Sequence, residues 1–479
     1  MQERLRKSFI YRWLTAAVLL FDRAWAGSIM VTWLQTAWFG EELSDSSVIT
    51  RTGRGVRNFL CTFFEKYYLK RLLENSVFKR VYLWCVLTVT FAPLLPTMAV
   101  LALVAISSCS LLLRISCDRE IKLSYSPVNK FILLFSFIYI IATLTSVTPS
   151  GSLKGGMLTV FFVLFSLVFE NSVKTRQELD RALLLIIASG SIVAAYGCYQ
   201  YVFGTLGAEA WIDSDMFSNI SNRVYSTLQN PNVLSEYLLL VIPLTFAMAI
   251  SEKNKWLRLL LLCCGLGMGL CMLLTFSRGG YLGLLCAAAL FLILIDRRFL
   301  FLGVLLLAVA VLVMPDTIVM RFASIGNMGD SSTSYRVSIW FGTLAMLKDY
   351  WLCGIGPGTA AFQKIYPVYS YAEAAAQHAH NLFLQITCDS GVCGILTFLL
   401  LIFTFFKSVS VAVVRECRNR SKLLQIGVMA SVLGFLVQGM TDNSFYNYRV
   451  LLMFWVLITL GSLVSGRSAM PEAKHDQGA

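Results

Sequence analysis

Residues 259–295 read LLLLCCGLGMGLCMLLTFSRGGYLGLLCAAALFLILI, two apolar runs joined by the short segment Thr275–Gly280. As helices, runs of this size have about the length that is needed to cross the hydrocarbon core of a membrane. No water is available there to pair backbone N–H and C=O groups, so a crossing segment must satisfy them within a helix. The stretch therefore predicts a transmembrane hairpin with a single arginine, Arg278, in its turn.

The same pattern recurs along most of the chain. Hydrophobic residues make up 57% of the sequence and charged residues 14%, with a mean hydropathy of +0.69, whereas a soluble domain carries about a quarter charged residues. Alternating strand patterns of the barrel type are absent. We predict an all-α polytopic membrane protein with about twelve spans, at residues 81–95, 97–113, 131–148, 157–171, 182–203, 233–250, 259–276, 281–295, 299–314, 391–408, 424–441 and 450–465.

Helix-start signals support several of these boundaries. Thr175 and Glu178 have the spacing of a capping box before the fifth span. Asn230-Pro231 suits a cap followed by proline in the first turn of the sixth. Pro93 and Pro96 divide a run that is too long for one helix, which predicts a tight hairpin between the first two spans.

Basic residues indicate the orientation of the spans. Of the 40 Lys and Arg residues, 32 fall on one side of the predicted topology and eight on the other. Because basic loops remain in the cytoplasm, this asymmetry predicts a protein of the bacterial cytoplasmic membrane with both termini on the cytoplasmic side. The net charge of +13 is then an orientation signal, and we predict membrane lipids as partners and no nucleic acid.

The regions outside the spans are predicted to differ in role. Residues 1–80 are basic, and Val56, Leu60, Phe63, Phe64 and Tyr67 recur at helical spacing, which predicts an amphipathic helix on the cytoplasmic surface. A signal peptide near the N-terminus is the alternative, but it would leave the basic residues 51–80 outside. Residues 81–465 form the predicted transmembrane catalytic domain, and 466–479 a cytoplasmic tail.

One large outer loop, residues 315–390, separates the ninth and tenth spans and is too long for a simple connector. Its segment Ser334–Trp351 is predicted to form an amphipathic helix. The apolar face of that helix is predicted to contain Val337, Trp340, Leu344, Leu347 and Trp351. Glycines in Gly354-Ile-Gly-Pro-Gly358 then predict a sharp turn.

Eight basic residues lie outside against the topological bias: Lys154, Arg223, Arg278, Arg321, Arg336, Lys348, Lys364 and Arg449. An arginine at a membrane edge costs free energy unless it snorkels or binds an anion. Guanidinium groups match phosphate oxygens with two parallel hydrogen bonds, so several of them together suit a lipid-linked pyrophosphate. The alternative is that each pairs with a headgroup or a carboxylate such as Asp442. Glu236, near the outer end of the sixth span, would hold an arginine or form part of the site.

Histidine is scarce, and His378 and His380 immediately precede the tenth span at its outer end. A neutral imidazole there could take a proton from a sugar hydroxyl. The alternatives are a structural histidine that caps the helix with Asn381, or a metal site with Glu373. We disfavour the metal because two histidines in H-x-H on a helix would point to different faces.

The order of these features resembles the O-antigen ligase and O-antigen polymerase superfamily of bacterial membrane glycosyltransferases. The similar segments are Arg223-Val-Tyr-Ser-Thr-Leu-Gln-Asn-Pro-Asn232, Thr275-Phe-Ser-Arg-Gly-Gly-Tyr-Leu-Gly283, Ser334-Tyr-Arg-Val-Ser-Ile-Trp340, Gly354-Ile-Gly-Pro-Gly358, and His380-Asn381 followed by Gly391-Val-Cys-Gly-Ile395. The resemblance covers about residues 130–465 and leaves out the N-terminal 80 residues.

The resemblance implies a metal-independent enzyme without cofactors that takes a glycan from an undecaprenyl-pyrophosphate carrier and transfers it to a glycan or lipid-glycan acceptor. The family's functional residues match His380, Arg278, Arg336 and Arg223, which are the predicted catalytic residues. The predicted substrate-binding residues are Arg321, Arg449, His378 and Glu236. Neither the choice between polymerase and ligase nor the identity of the sugar follows from the sequence.

Two rival functions come from other classes. A polysaccharide flippase or other transporter can also have twelve spans, but transporters tend to contain related halves and midplane binding groups. This sequence has no evident internal repeat, and its unexpected charges cluster at the outer end. A non-enzymatic regulator of polymer length would not require arginines at the membrane edge.

Overall fold

The computed structural model describes residues 79–117, 123–124, 126–204, 223–326, 331–416 and 420–466, with residues 55, 58–59 and 61–62. Within these ranges the structure contains helices and no strands. The five residues on which the amphipathic helix was predicted, the alternative signal peptide and all but the first residue of the tail lie outside the described residues. The α-helices are α1 Val81–Phe91, α2 Thr97–Cys117, α3 Asn129–Leu144, α4 Pro149–Ser172, α5 Arg176–Phe203, α6 Pro231–Ser251, α7 Lys255–Leu274, α8 Arg278–Ile295, α9 Arg298–Val313, α10 Asp316–Ala323, α11 Ser331–Tyr350, α12 Thr359–Ile365, α13 Leu382–Arg415, α14 Arg420–Gly439 and α15 Tyr448–Gly466.

Twelve of the helices in the described part of the chain are apolar, and each overlaps one predicted span. Eight of them, α2, α4 to α8, α13 and α14, are long and apolar enough to cross a membrane by length and composition. The other four, α1, α3, α9 and α15, are shorter. The predicted class, an all-α polytopic membrane protein, is confirmed.

Capping hydrogen bonds at the starts of α5 and α6 confirm the helix boundaries that were predicted there. Thr175 Oγ1 accepts from the Glu178 amide at 3.2 Å, and Glu178 Oε2 accepts from the Thr175 amide at 3.0 Å. Asn230 Oδ1 accepts from two amides of the first turn of α6, which has Pro231 as its first residue. The proline-bounded turn between α1 and α2 also lies where the sequence predicts it.

Helix α14 packs between α6 and α8 near the centre of the bundle. Glycines allow this close approach, since a Cβ added at Gly283 of α8 would lie 2.5 Å from the carbonyl oxygen of Gly434 on α14. Near the same end of the pair, a Cβ at Gly279 would lie 2.5 Å from Thr441 Oγ1. The turn that contains Arg278 is thereby held against the connection between α14 and α15.

The segment between α9 and α13 folds into a layer with a small hydrophobic core of its own. Buried side chains from α11, α12 and the start of α13 form this core, among them Ile339, Met346, Phe362, Tyr366 and Cys388. We call the end of the bundle that this layer covers the loop end.

The helix predicted at Ser334–Trp351 exists as α11, but the predicted apolar face was only partly right: Leu347 is buried, whereas two other members are exposed. Leu344 and Trp351 are 49% and 55% exposed. The side chains that pack inward are Ile339, Gly342, Thr343, Met346 and Leu347. Apolar residues on a helix beside a membrane do not all have to face protein, so sequence periodicity alone could not select the buried face.

Helix α13 is broken at Gly391, where the predicted tenth span begins. Gly391 has φ 65° and ψ −164°, a conformation that glycine adopts without strain. The segment from Trp351 to the glycine-rich turn at residues 354–358 packs against this break. The Ile355 amide donates to the Cys388 carbonyl at 2.6 Å, and the Val392 amide donates to the Trp351 carbonyl at 2.8 Å. The segment Leu382–Ser390 is therefore a separate short helix at the loop end.

Candidate active site

A cavity of about 1260 Å³ opens at the loop end of the bundle. Its walls come from the start of α6, from α11, from the segment between α12 and α13, and from the connection between α14 and α15. The ionisable and imidazole side chains that line it are Arg223, Glu236, Arg336, Glu373, His378, His380 and Asp442. Five of the eight predicted site residues thus meet in a single space: Arg223, Glu236, Arg336, His378 and His380.

Asp442 is the centre of the polar network in this cavity. Its Oδ2 accepts from Asn232 Nδ2 at 2.9 Å and from Arg336 Nη2 at 3.4 Å, and its Oδ1 lies 3.2 Å from His380 Nδ1. Burial opposes ionisation of this carboxyl, but the charge of Arg336 and the hydrogen bond to His380 outweigh burial. Together they hold the pKa of Asp442 well below its usual range.

The ionised Asp442 determines the tautomer of His380. A carboxylate can only accept hydrogen bonds, so His380 Nδ1 must carry the proton that it donates to Asp442. Nε2 is then the basic nitrogen of the neutral ring. His380 also has φ 45°, an uncommon value for a residue with a side chain, and its carbonyl accepts from Trp340 Nε1 at 3.1 Å.

His378 lies beside His380 and not on a helix, contrary to the geometry assumed from the sequence. The two ring centroids are 4.1 Å apart, and His378 Nδ1 accepts from the His380 amide at 3.3 Å. Burial, followed by the charge of the nearby His380, lowers the pKa of His378 to about 3, so this ring is neutral at physiological pH.

Because the rings meet, the argument that an H-x-H pair would point to different faces was wrong for this chain. Donor atoms of His378, His380 and Asp442 all lie within 4.8 Å of one another. Among the described residues this set, and not the predicted one with Glu373, has the spacing for a metal ion. A divalent cation there would be repelled by the guanidinium of Arg336, which is bonded to the same carboxylate.

Arg223 is held at the edge of the cavity by backbone and amide oxygens. Its Nε donates to the Thr275 carbonyl at 2.9 Å and its Nη2 to Asn232 Oδ1 at 3.0 Å. The side chain is 6% exposed. Burial, followed by the charges of Arg321, Arg336 and Arg278, lowers the pKa of Arg223 to about 9. A group that is buried among like charges favours an anion beside it.

Arg321 and Arg278 lie behind Arg223 and do not line the cavity. Arg321 Nε donates to the Phe276 carbonyl at 3.2 Å, and Arg278 Nη1 donates to the Ser324 carbonyl at 3.4 Å. Phe276 has φ 50°, so the turn before α8 contains a strained residue. Consecutive carbonyls of this turn accept from Arg223 and Arg321, which explains why the predicted Thr275–Gly280 motif belongs to the site.

Two predicted residues have other surroundings. Arg449, on α15, donates to the carbonyls of Leu95 and Thr227 at 3.3 Å each and lies outside the cavity. Glu236 lines the cavity but is 1% exposed, and its Oε2 has no hydrogen-bond partner in the structure. Glu236 therefore lines the same cavity as Arg223 and Arg336, whereas Arg449 lies between α15 and the α1–α2 turn.

Sequence reasoning gave Asp442 only as an alternative partner for an arginine and did not single out Asn232. Asp442 stands in the short connection Thr441-Asp-Asn-Ser444 between two predicted spans. The available signal was the surplus of outward arginines, since arginines close together require a carboxylate among them to limit their repulsion.

Comparison with protein-family models matches residues 259–399 to the family described as O-antigen ligase. The match runs from α7 into α13 and contains Arg278, Arg321, Arg336 and both histidines of the site. No curated protein was found to match the chain.

The fold and the cavity together define the class of protein, which is a multi-pass helical membrane protein with a charged cavity at one end of its bundle. The family match over residues 259–399 supports the resemblance to the O-antigen ligase and polymerase superfamily. The same match supports a role in glycan transfer during assembly of O-antigen or related polysaccharides.

Proposed function

We propose that this protein transfers a glycan from an undecaprenyl-pyrophosphate carrier to an acceptor hydroxyl at the outer face of the cytoplasmic membrane. The observation that carries the proposal is the link through Asp442, which joins His380 to Arg336 in the cavity that also contains Arg223. Polymerisation of repeat units and ligation to a lipid-glycan acceptor use the same chemistry, and both are consistent with the cavity.

The arginines supply the electrostatic part of the mechanism. Arg223 and Arg336 would bind the pyrophosphate, and Arg278 and Arg321 would add to the positive potential from behind. The cavity also lies at the starts of α6 and α11, whose first residues line it. Helix N-termini favour anions through their unpaired amides and the helix dipole. Charge that develops on the leaving group is stabilised most by such fixed, partly desolvated donors.

His380 would supply the acid–base part. As the new bond forms between the acceptor oxygen and the anomeric carbon of the donor, the bond from that carbon to the pyrophosphate oxygen breaks. The acceptor proton moves to His380 Nε2, and Asp442 stabilises the resulting imidazolium. Undecaprenyl pyrophosphate leaves as an anion, so the reaction requires neither a metal nor a general acid.

The proposed orientation gives a topology prediction. Single cysteines at Ser332 and Ser370, which line the cavity, should react from outside with impermeant thiol reagents in a cysteine-free variant. Cysteines at Ser251 and Ser421, at the opposite ends of α6 and α14, should react only after the membrane is opened. The reverse labelling pattern would place the cavity in the cytoplasm and contradict the proposal.

The lipid-linked glycan pool of a deletion strain separates the alternatives. Single repeats on the carrier are expected to accumulate if the protein is a polymerase, and long carrier-linked chains if it is a ligase. Repeats trapped on the cytoplasmic side, with an otherwise unchanged pool, would instead identify a flippase.

A further inference from the structure

A second cavity, of about 350 Å³, lies next to the large one and is not used by the mechanism above. Gln377, His378, Asn443 and Tyr446 line both cavities, so the two spaces meet at this wall. The ring of His378 separates them, packed 4.8 Å from the ring of Tyr446 and 4.1 Å from that of His380, measured between centroids. The second cavity thus ends beside the proposed base.

The side chains of this second cavity differ in chemistry from those of the first. Among the described residues no arginine lines it, and its acidic and basic lining residues are Asp389 and Lys154. Tyr139, Tyr446 and Tyr448 contribute three aromatic rings. A carboxylate close to these rings makes the space unfavourable for a pyrophosphate. Aromatic walls with a few fixed polar groups instead suit a neutral, hydroxyl-rich ligand of small size.

Asp389 is oriented by two neighbours. Its Oδ1 accepts from Gln385 Nε2 at 2.7 Å, and its Oδ2 accepts from the Tyr139 hydroxyl at 3.3 Å. Each carboxylate oxygen can accept two hydrogen bonds, so both retain capacity for a hydroxyl of a ligand. Asp389 belongs to the short segment Leu382–Ser390 that the break at Gly391 separates from the rest of α13. The break therefore keeps this carboxylate at the loop end, near His380.

We infer that the second cavity is the subsite for the terminal sugar of the acceptor glycan. Asp389 and Gln385 would hydrogen-bond hydroxyls of that sugar, and tyrosine rings would pack against its apolar C–H groups. The hydroxyl that attacks would then enter the large cavity past His378 and meet His380. This inference rests on the proposed glycan transfer, and it assigns donor and acceptor to different cavities.

Asp389→Asn tests the assignment, because it keeps the size of the side chain and replaces one acceptor oxygen with an NH₂ group that can only donate. The assay uses purified protein, lipid-linked glycan extracted from a deletion strain as donor, and a separate preparation of acceptor. The acceptor concentration is varied at a fixed donor concentration, and then the donor concentration is varied at a fixed acceptor concentration. Loss of one hydrogen bond corresponds to roughly a 3- to 10-fold weakening, so we expect the acceptor KM to rise by about that factor. The donor KM should change less than about twofold. Thr387→Val, on the same short helix and outside both cavities, is the matched control.

Equal effects of Asp389→Asn on the two KM values, or an effect on kcat alone, would overturn the subsite. Failure of the proposed function looks different, since then the wild-type protein would release no undecaprenyl pyrophosphate at any acceptor concentration.

Chemical blocking tests the same subsite without changing its polar groups. In a background with Cys353→Ser, a maleimide attached at Thr359→Cys would fill the mouth of the second cavity, which Thr359 lines. We expect it to abolish transfer and leave donor binding intact. The same reagent at Val368→Cys, 81% exposed and outside both cavities, should leave transfer unchanged. Full activity after labelling of Thr359→Cys would exclude the acceptor from this space.

Discussion

His380→Ala should lower glycan transfer by about a hundred- to ten-thousandfold, the range that a general base typically contributes. The structure gives the reason, because Asp442 holds the Nδ1 proton of His380 and leaves Nε2 as the basic nitrogen. Protein level and donor binding should remain close to wild type, since Asp442 keeps its contacts with Arg336 and Asn232. The measurement is turnover of purified variants with lipid-linked glycan.

His378→Ala is the matched comparison for that prediction. His378 is neutral and makes no contact with Asp442 as close as that of His380, so its loss should lower turnover less. Losses of equal size in both variants, together with metal in the purified wild-type protein, would favour the metal site formed by the two histidines and Asp442. Activity that survives exhaustive chelation supports the mechanism without metal.

Arg223→Lys should lower turnover by roughly a hundred- to thousandfold, the scale for loss of one preorganised donor. Lysine keeps the unit charge, but its single ammonium cannot reproduce the planar contacts that Arg223 makes with the Thr275 carbonyl and Asn232. Its stronger hydration also makes burial among other arginines less favourable. Since charge on the leaving group builds in the transition state, kcat should fall more than donor affinity.

Arg449→Lys provides a buried arginine of similar exposure for comparison. Its guanidinium bonds backbone carbonyls outside the cavity, so we expect turnover near that of wild type after correction for protein level. Arg278→Lys should give an intermediate defect, because Arg278 influences Arg223 electrostatically without lining the cavity. Near-normal turnover of Arg223→Lys would reduce that residue to a membrane anchor.

Much of the fold was predictable because one physical constraint dominates it. Segments that cross lipid must be apolar and helical, so each of the twelve predicted spans overlaps a helix. The capping box at Thr175 and the cap at Asn230 were equally local and equally predictable. The buried face of α11 was not, because Leu344 and Trp351 are apolar yet exposed.

For the site, the residue types were predictable and their arrangement was not. An arginine at the membrane edge costs free energy and histidine is scarce, so both signals are visible in one sequence. The polar network around Asp442 depends on contacts with His380 and Asn232. These two residues are separated from Asp442 by 62 and 210 positions in the sequence. The close pair of histidine rings accompanies φ 45° at His380, a conformation that is uncommon for any residue with a side chain and that the sequence does not specify at this position.

The most direct test of glycan transfer from a polyprenyl pyrophosphate uses wild-type protein reconstituted in liposomes with purified lipid-linked glycan. The amount of glycan still bonded to the carrier and the amount of released undecaprenyl pyrophosphate are measured in the same samples over time. We predict one equivalent of undecaprenyl pyrophosphate for each glycan transferred, and formation of both products slower by about a hundredfold or more with His380→Ala. Movement of intact lipid-linked glycan across the membrane, with its bond to the carrier unbroken, would contradict the account.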